Sequence, residues 1–271
     1  MDVVRIVSRG SGTPVVVIPG IQGRWEWMEP GIDALARHCR VITFSLADES
    51  SWGGTFDETR GFWCYVDQVR EALDAAGIER AAVCGVSYSG LVAAAFGARH
   101  PERVSSLILV SAIPPSWTPN ARVRFYLRAP RLLTPVFIAA SLRMYGEILA
   151  ASGGFWRSLP MAARHGARVL GHMFSPGLMA RRVHLLASVR LRDEIAPLDI
   201  PTLVITGEAA LDRVVPVAST REYLRMWPHA RGAVIERTGH LGLITRPDVF
   251  AQLVAAFAED SAGNAGRRRV G

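Results

Sequence analysis

Short apolar runs rich in β-branched residues recur along the chain at 3–7, 15–18, 41–44, 81–84, 107–110, 203–206 and 233–236. Strands that are apolar on both faces need cover on both faces, so the pattern predicts a mostly parallel sheet between helices. Helical periodicity at 25–38, 57–76, 88–100, 217–227 and 248–258 supplies those helices. Several of these segments begin after Pro or Asp and end near Gly or His, the residue types that favour helix boundaries.

The rhythm breaks once. Residues 113–192 contain no good strand and are rich in Pro, Arg, Met and aromatic residues. Apolar spacing around 125–133, 136–149 and 183–191 predicts short amphipathic helices there. An insertion of that kind above a sheet forms a cap. The expected organisation is an α/β core from 1–112 and 193–260, a helical cap at 113–192 and a flexible basic tail at 261–271.

Composition narrows this picture. With 271 residues, 49% hydrophobic and 20% charged, the chain suits one core with an inserted cap. The most apolar stretch, 132–150, is interrupted by Pro135, Arg143 and Glu147, which argues against a membrane span. The start carries Asp2 and turn residues where a secretory signal needs a basic end and an unbroken apolar run, so a cytoplasmic protein is expected. Cys39, Cys64 and Cys84 have neither metal-ligand nor redox spacing and are expected to be buried free thiols.

The net charge of +7 is regional, because residues 113–192 hold twelve arginines against a single acid, Glu147. No lysine occurs anywhere in the chain, a compositional bias that lessens the weight of any one arginine. No phosphate loop or nucleic-acid motif accompanies the charge, so nucleic acid is not an expected partner. Three readings of the arginines remain: a solvated cap surface, a peripheral contact with anionic lipid, or a counter-charge for an anionic substrate.

The strongest chemical signal is Gly85-Val86-Ser87-Tyr88-Ser89-Gly90, lying between the strand AAVC and a helix. A serine on so tight a strand-to-helix turn presents its hydroxyl above the sheet, and small neighbours let the chain turn. Such a hydroxyl needs a base, and the base needs a carboxylate to set its tautomer. His240 follows the last strand in ERTGHLGL, and Asp212 follows the preceding strand in TGEAALDRVVP, with Glu208 as a competitor in the same loop. The remaining histidines end helices, lie in the cap or occupy a turn. Two backbone amides must receive the oxyanion. Tyr88 supplies one, and the second is expected from Ile21, or else Gln22, in the loop after VVVIPGIQG.

Together, VVVIPGIQG, GVSYSG, ARHPERVSSLILVS, TGEAALDRVVP and TGHLGL resemble the α/β-hydrolase superfamily over nearly the whole chain outside the insertion. The resemblance implies a mostly parallel sheet of about seven to eight strands, a helical cap, and the triad Ser87, Asp212 and His240 working without a cofactor. The chain departs from the family pattern in three places. Pro19-Gly20 replaces the usual His-Gly, the acid loop is longer than G-E-x-D, and the family's first strand is expected to be missing. The implied activity is hydrolysis of a carboxylic ester of a small to medium apolar substrate. Rival readings are C–C bond, lactone, thioester or amide hydrolysis, peracid formation, or a slow-turnover receptor. Phe125, Tyr126, Phe137, Met144, Phe155, Trp156 and Met173 are the cap residues expected to line an apolar pocket, with cap-core packing as the alternative.

Overall fold

In a computed structural model, which describes residues 4–270, seven strands form one sheet: β1 Val7–Arg9, β2 Pro14–Ile18, β3 Arg40–Thr43, β4 Ala81–Val86, β5 Val104–Val110, β6 Thr202–Thr206 and β7 Arg231–Val234. Their order is β1-β3-β2-β4-β5-β6-β7. Only β1 runs antiparallel, pairing Val7 with Thr43, and every other neighbouring pair is parallel.

Alternation along the strands explains the two cores. Val16, Ile18, Val83, Leu107 and Leu109 face one layer, packing with the helices α2 Trp63–Ala75 and α3 Ser89–Arg99. Val15, Val17, Cys84, Ile108 and Val110 face the other, against α1 Glu29–Leu35 and α13 Pro247–Val270. Both faces of the central strands β2, β4, β5 and β6 are closed to water, as their near-continuous apolar runs require, while the edge strands β1 and β7 are partly exposed.

The chain passes from β2 to β3 on one side of β2, then returns to place β4 on its other side. The carboxyl ends of β2 and β4 therefore flank a topological switch point, where open α/β sheets leave a crevice. Pro19–Gly20 and Ser87 follow those two strand ends.

Between β5 and β6, in the segment expected from the sequence to form a cap, stand five helices: α4 Ala121–Arg128, α5 Thr134–Ser141, α6 Tyr145–Ser152, α7 Phe155–Gly171 and α8 Pro176–Ala187. The cap is seated on Trp27 and on the first residue of α1. Trp27 Nε1 donates to the His172 carbonyl at 2.8 Å, its ring meets Phe174 edge-on at 5.8 Å, and Arg168 pairs with Glu29 at 3.2 Å.

Several boundaries differ from the sequence expectation. The first strand is Val7–Arg9 rather than 3–7, Val3 lying outside the described residues. The helix expected at 217–227 divides into α10 Val217–Thr220 and α11 Glu222–Met226, and short helices α9 Arg192–Ile195 and α12 Gly242–Thr245 are additional. Helix α13 runs through Val270, where the sequence suggested a frayed tail from 261. The longest cap helix, α7, was masked in the sequence by Pro160, which it accommodates within its span.

Cys39, Cys64 and Cys84 are free and buried, as expected. Burial pushes the Cys39 thiol up to about 11, helped by Glu259, and the Cys84 thiol up to about 12. Thiols so far from ionisation are packing residues.

Candidate active site

Ser87 follows β4 directly, with a left-handed φ of 53°. An L-residue there carries about 1–2 kcal/mol of backbone strain. The surroundings hold it in place. Its amide extends the sheet ladder by donating to the Val110 carbonyl at 2.8 Å, and its carbonyl accepts from Gly90 at 3.1 Å and Ile113 at 3.2 Å. A Cβ on Gly85 would stand 2.2 Å from the Ser89 carbonyl oxygen, and one on Gly90 2.3 Å from the Ala112 Cβ, so a side chain at either position would obstruct the turn.

Ser89, where the motif more often has glycine, has a use of its own. Its hydroxyl donates to the Pro19 carbonyl. That bond ties the turn at Ser87 to the loop after β2. A Cβ on Gly20 would lie 3.5 Å from that of Ser87, which sets the Gly20–Ile21 backbone beside the serine. Tyr88 heads α3, where the first amides of a helix lack intrahelical partners. Its ring is buried among Phe62 and Tyr65, and its hydroxyl donates to the Arg182 carbonyl at 3.3 Å.

The loops after β6 and β7 bring Asp212 and His240 together. His240 Nδ1 lies 3.4 Å from Asp212 Oδ2, both largely buried, without hydrogen-bonding alignment. The other carboxylate oxygen of Asp212 accepts from the Val214 and Val215 amides, each at 2.9 Å. Burial acts to raise the Asp212 carboxyl, but His240 and those two amides outweigh it and hold the group below the ordinary carboxylate value. Glu208, the competitor in the sequence, accepts from the Arg237 amide at 2.6 Å and so braces the neighbouring turn.

Two cap residues that sequence reasoning did not assign reach into this site. Glu147, on α6, is buried, and its Oε2 accepts from the amides on both sides of His240, Gly239 at 2.9 Å and Leu241 at 2.8 Å. Among the described residues its Oε1 has no hydrogen-bond partner. Burial raises the Glu147 carboxyl above its ordinary value, while the Leu241 amide and His240 pull the other way.

Arg182, on α8, is fully buried beside Asp48, to which Nε donates at 3.1 Å, and Glu49, to which Nη2 donates at 2.7 Å. Its Nη1 donates to the Ile21 carbonyl at 2.8 Å. Tyr65 adds a hydroxyl to Asp48 at 2.9 Å. The cap's only acid thus grips the His240 loop, and its fully buried arginine grips the Ile21 loop.

Glu147→Gln keeps an acceptor for the two amides and removes a poorly compensated buried charge. A raised carboxyl contributes stability below its ordinary value that is lost as pH rises through the higher folded value. The variant is expected to melt above the parent at neutral pH, with the difference vanishing in mild acid. Thermal melts across pH check this.

Of the cap side chains expected to line a pocket, Phe125, Phe155, Trp156 and Met173 are exposed. Tyr126 packs edge-on against Phe137, and Phe137 against Phe174, each at 5.5 Å, which is packing within the cap.

Ser87 thus stands on a strained strand-to-helix turn after β4, and the aspartate–histidine contact lies on the loops after β6 and β7, the second and third strands beyond it along the sheet. The chain belongs to the alpha/beta hydrolase fold family, whose sequence pattern matches residues 13–247. It is 26% identical over 253 residues to a protein of Azorhizobium caulinodans named putative carbamate hydrolase RutD, covering 92% of each chain. It is 31% identical over 188 residues to the pimeloyl-[acyl-carrier protein] methyl ester esterase of Aeromonas hydrophila, covering 66% of this chain and 70% of that one. The enol-lactonase of Burkholderia xenovorans superposes with a TM-score of 0.73 at 20% identity, covering 94% of this chain and 95% of that one.

Proposed function

We propose that the protein hydrolyses carboxylic esters of small to medium apolar substrates through an acyl-enzyme on Ser87. The observation that carries this reading is the left-handed φ of 53° at Ser87, strain that serves to present a hydroxyl at the switch point. The Asp212–His240 contact and the methyl ester esterase relative add support.

In the proposed cycle His240 accepts the Ser87 proton as the oxygen attacks the ester carbonyl. Asp212 holds the imidazole in the right tautomer and stabilises its charged form. The Ile21 and Tyr88 amides receive the oxyanion. The proton then passes to the leaving alkoxide, which departs as the alcohol. A water molecule, deprotonated by His240, attacks the acyl-enzyme, and the acid leaves as the proton returns to Ser87.

Incubation with a fluorophosphonate probe is expected to label Ser87 rapidly, with the protein turning over short p-nitrophenyl esters. Absence of labelling would point instead to a binding protein that keeps the architecture without an activated nucleophile. A panel of methyl esters, lactones, thioesters, amides, carbamates and C–C-bonded diketones then ranks the acyl groups. Clear preference for one of the non-ester classes would replace the ester reading while keeping the nucleophile.

A further inference from the structure

Helix α7 is amphipathic the wrong way round for a soluble cap. Its positions Trp156, Leu159, Pro160, Ala163, Ala167 and Leu170 recur at helical spacing and are all exposed, Trp156 at 80% and Leu170 at 73%. Arg157 and Arg164, two turns apart and both exposed, run along one flank of that stripe. The stripe does not stand alone. Among the described residues, ten of the twelve large apolar side chains left exposed lie in the cap.

Charge selects the occupant. The cap's one acid, Glu147, is buried against the His240 loop, so the outward surface of 113–192 carries arginines and no carboxylate. Among the described residues, Arg157 and Arg164 make no ion pair. A second copy docking face to face would set arginine against arginine. An anionic bilayer fits both features, with apolar side chains entering the acyl boundary and arginines meeting headgroup phosphates.

We infer that the outward stripe of α7 docks the protein on anionic lipid surfaces, Trp156 and Leu170 inserting and Arg157 and Arg164 binding phosphates. This leaves the α/β core above the bilayer, with no helix of the described residues long and apolar enough to cross it. The inference stands independently of the ester reading.

The test is sedimentation of the full chain with phosphatidylcholine–phosphatidylglycerol vesicles, against pure phosphatidylcholine, at low and high salt. Wild type is expected to sediment with the anionic vesicles and to be released from pure phosphatidylcholine. Trp156→Ser with Leu170→Ser is expected to weaken binding about tenfold or more per side chain. Arg157→Gln with Arg164→Gln is expected to weaken it about fivefold per charge and to reduce its salt dependence. Thermal melts matching wild type show that both double variants fold. A wild type that stays in the supernatant overturns the proposal, as does vesicle binding that ignores Trp156 and Leu170. A dimer in light scattering that Trp156→Ser dissolves would assign the stripe to self-association. Binding to soluble polyglutamate without vesicle binding would assign it to an acidic protein.

Discussion

Ser87→Ala is expected to lower ester turnover by about 10⁴-fold or more, leaving only what binding and oxyanion contacts supply. The melting temperature should barely move. Alanine keeps the Cβ and therefore the backbone strain at φ 53°, and the hydrogen bonds that hold the turn come from main-chain atoms. Ser87→Gly separates the two contributions. Glycine adopts a positive φ without penalty, so this variant should be as inactive as Ser87→Ala but more stable by about 1 kcal/mol. Equal stability of the glycine and serine proteins would remove the argument that strain is stored here for presentation of the hydroxyl. Ester turnover surviving in Ser87→Ala would remove the nucleophile itself.

The residues placed at strand ends were readable because strand periodicity and chemistry point to the same positions. Val83 and Cys84 announce a buried strand, and a serine flanked by glycines must follow it on a turn; Asp212 and His240 stand in the corresponding places two and three strands later. Ser89, a departure from the motif, became intelligible only through its bond to Pro19, which lies 70 residues away in sequence. Glu147 stood out in sequence as the cap's lone acid, yet nothing local says that it faces Gly239 and Leu241. Arg182 was harder still. It follows Arg181, which is partly exposed and pairs with Glu58, and only the distant Asp48 and Glu49 distinguish the two. Helix α7 was lost for another reason, since Pro160 reads as a breaker and its apolar stripe points to solvent rather than into a core.

Arg182→Leu should have the largest effect on stability of any single change in the cap. Burial works against the guanidinium charge, but Asp48 and Glu49 more than reverse that and hold it firmly protonated. Leucine fills much of the space and leaves two carboxylates buried without their cation, a loss of about 3–5 kcal/mol. For a chain of 271 residues that corresponds to a fall of about 5–9 °C in melting temperature. Lysine should not rescue it, because one ammonium cannot reproduce the forked contacts to Asp48, Glu49 and the Ile21 carbonyl. The decisive variant is Arg182→Leu combined with Asp48→Asn and Glu49→Gln. Neutralising the stranded carboxylates should restore most of the lost stability, because the penalty comes from unpaired charge more than from missing packing. Activity should not return with it. The Ile21 carbonyl still lacks its donor, so the loop proposed to supply an oxyanion amide remains unbraced, and kcat should stay depressed with KM little changed. Full recovery of kcat in the triple variant would show that Arg182 serves only to neutralise Asp48 and Glu49.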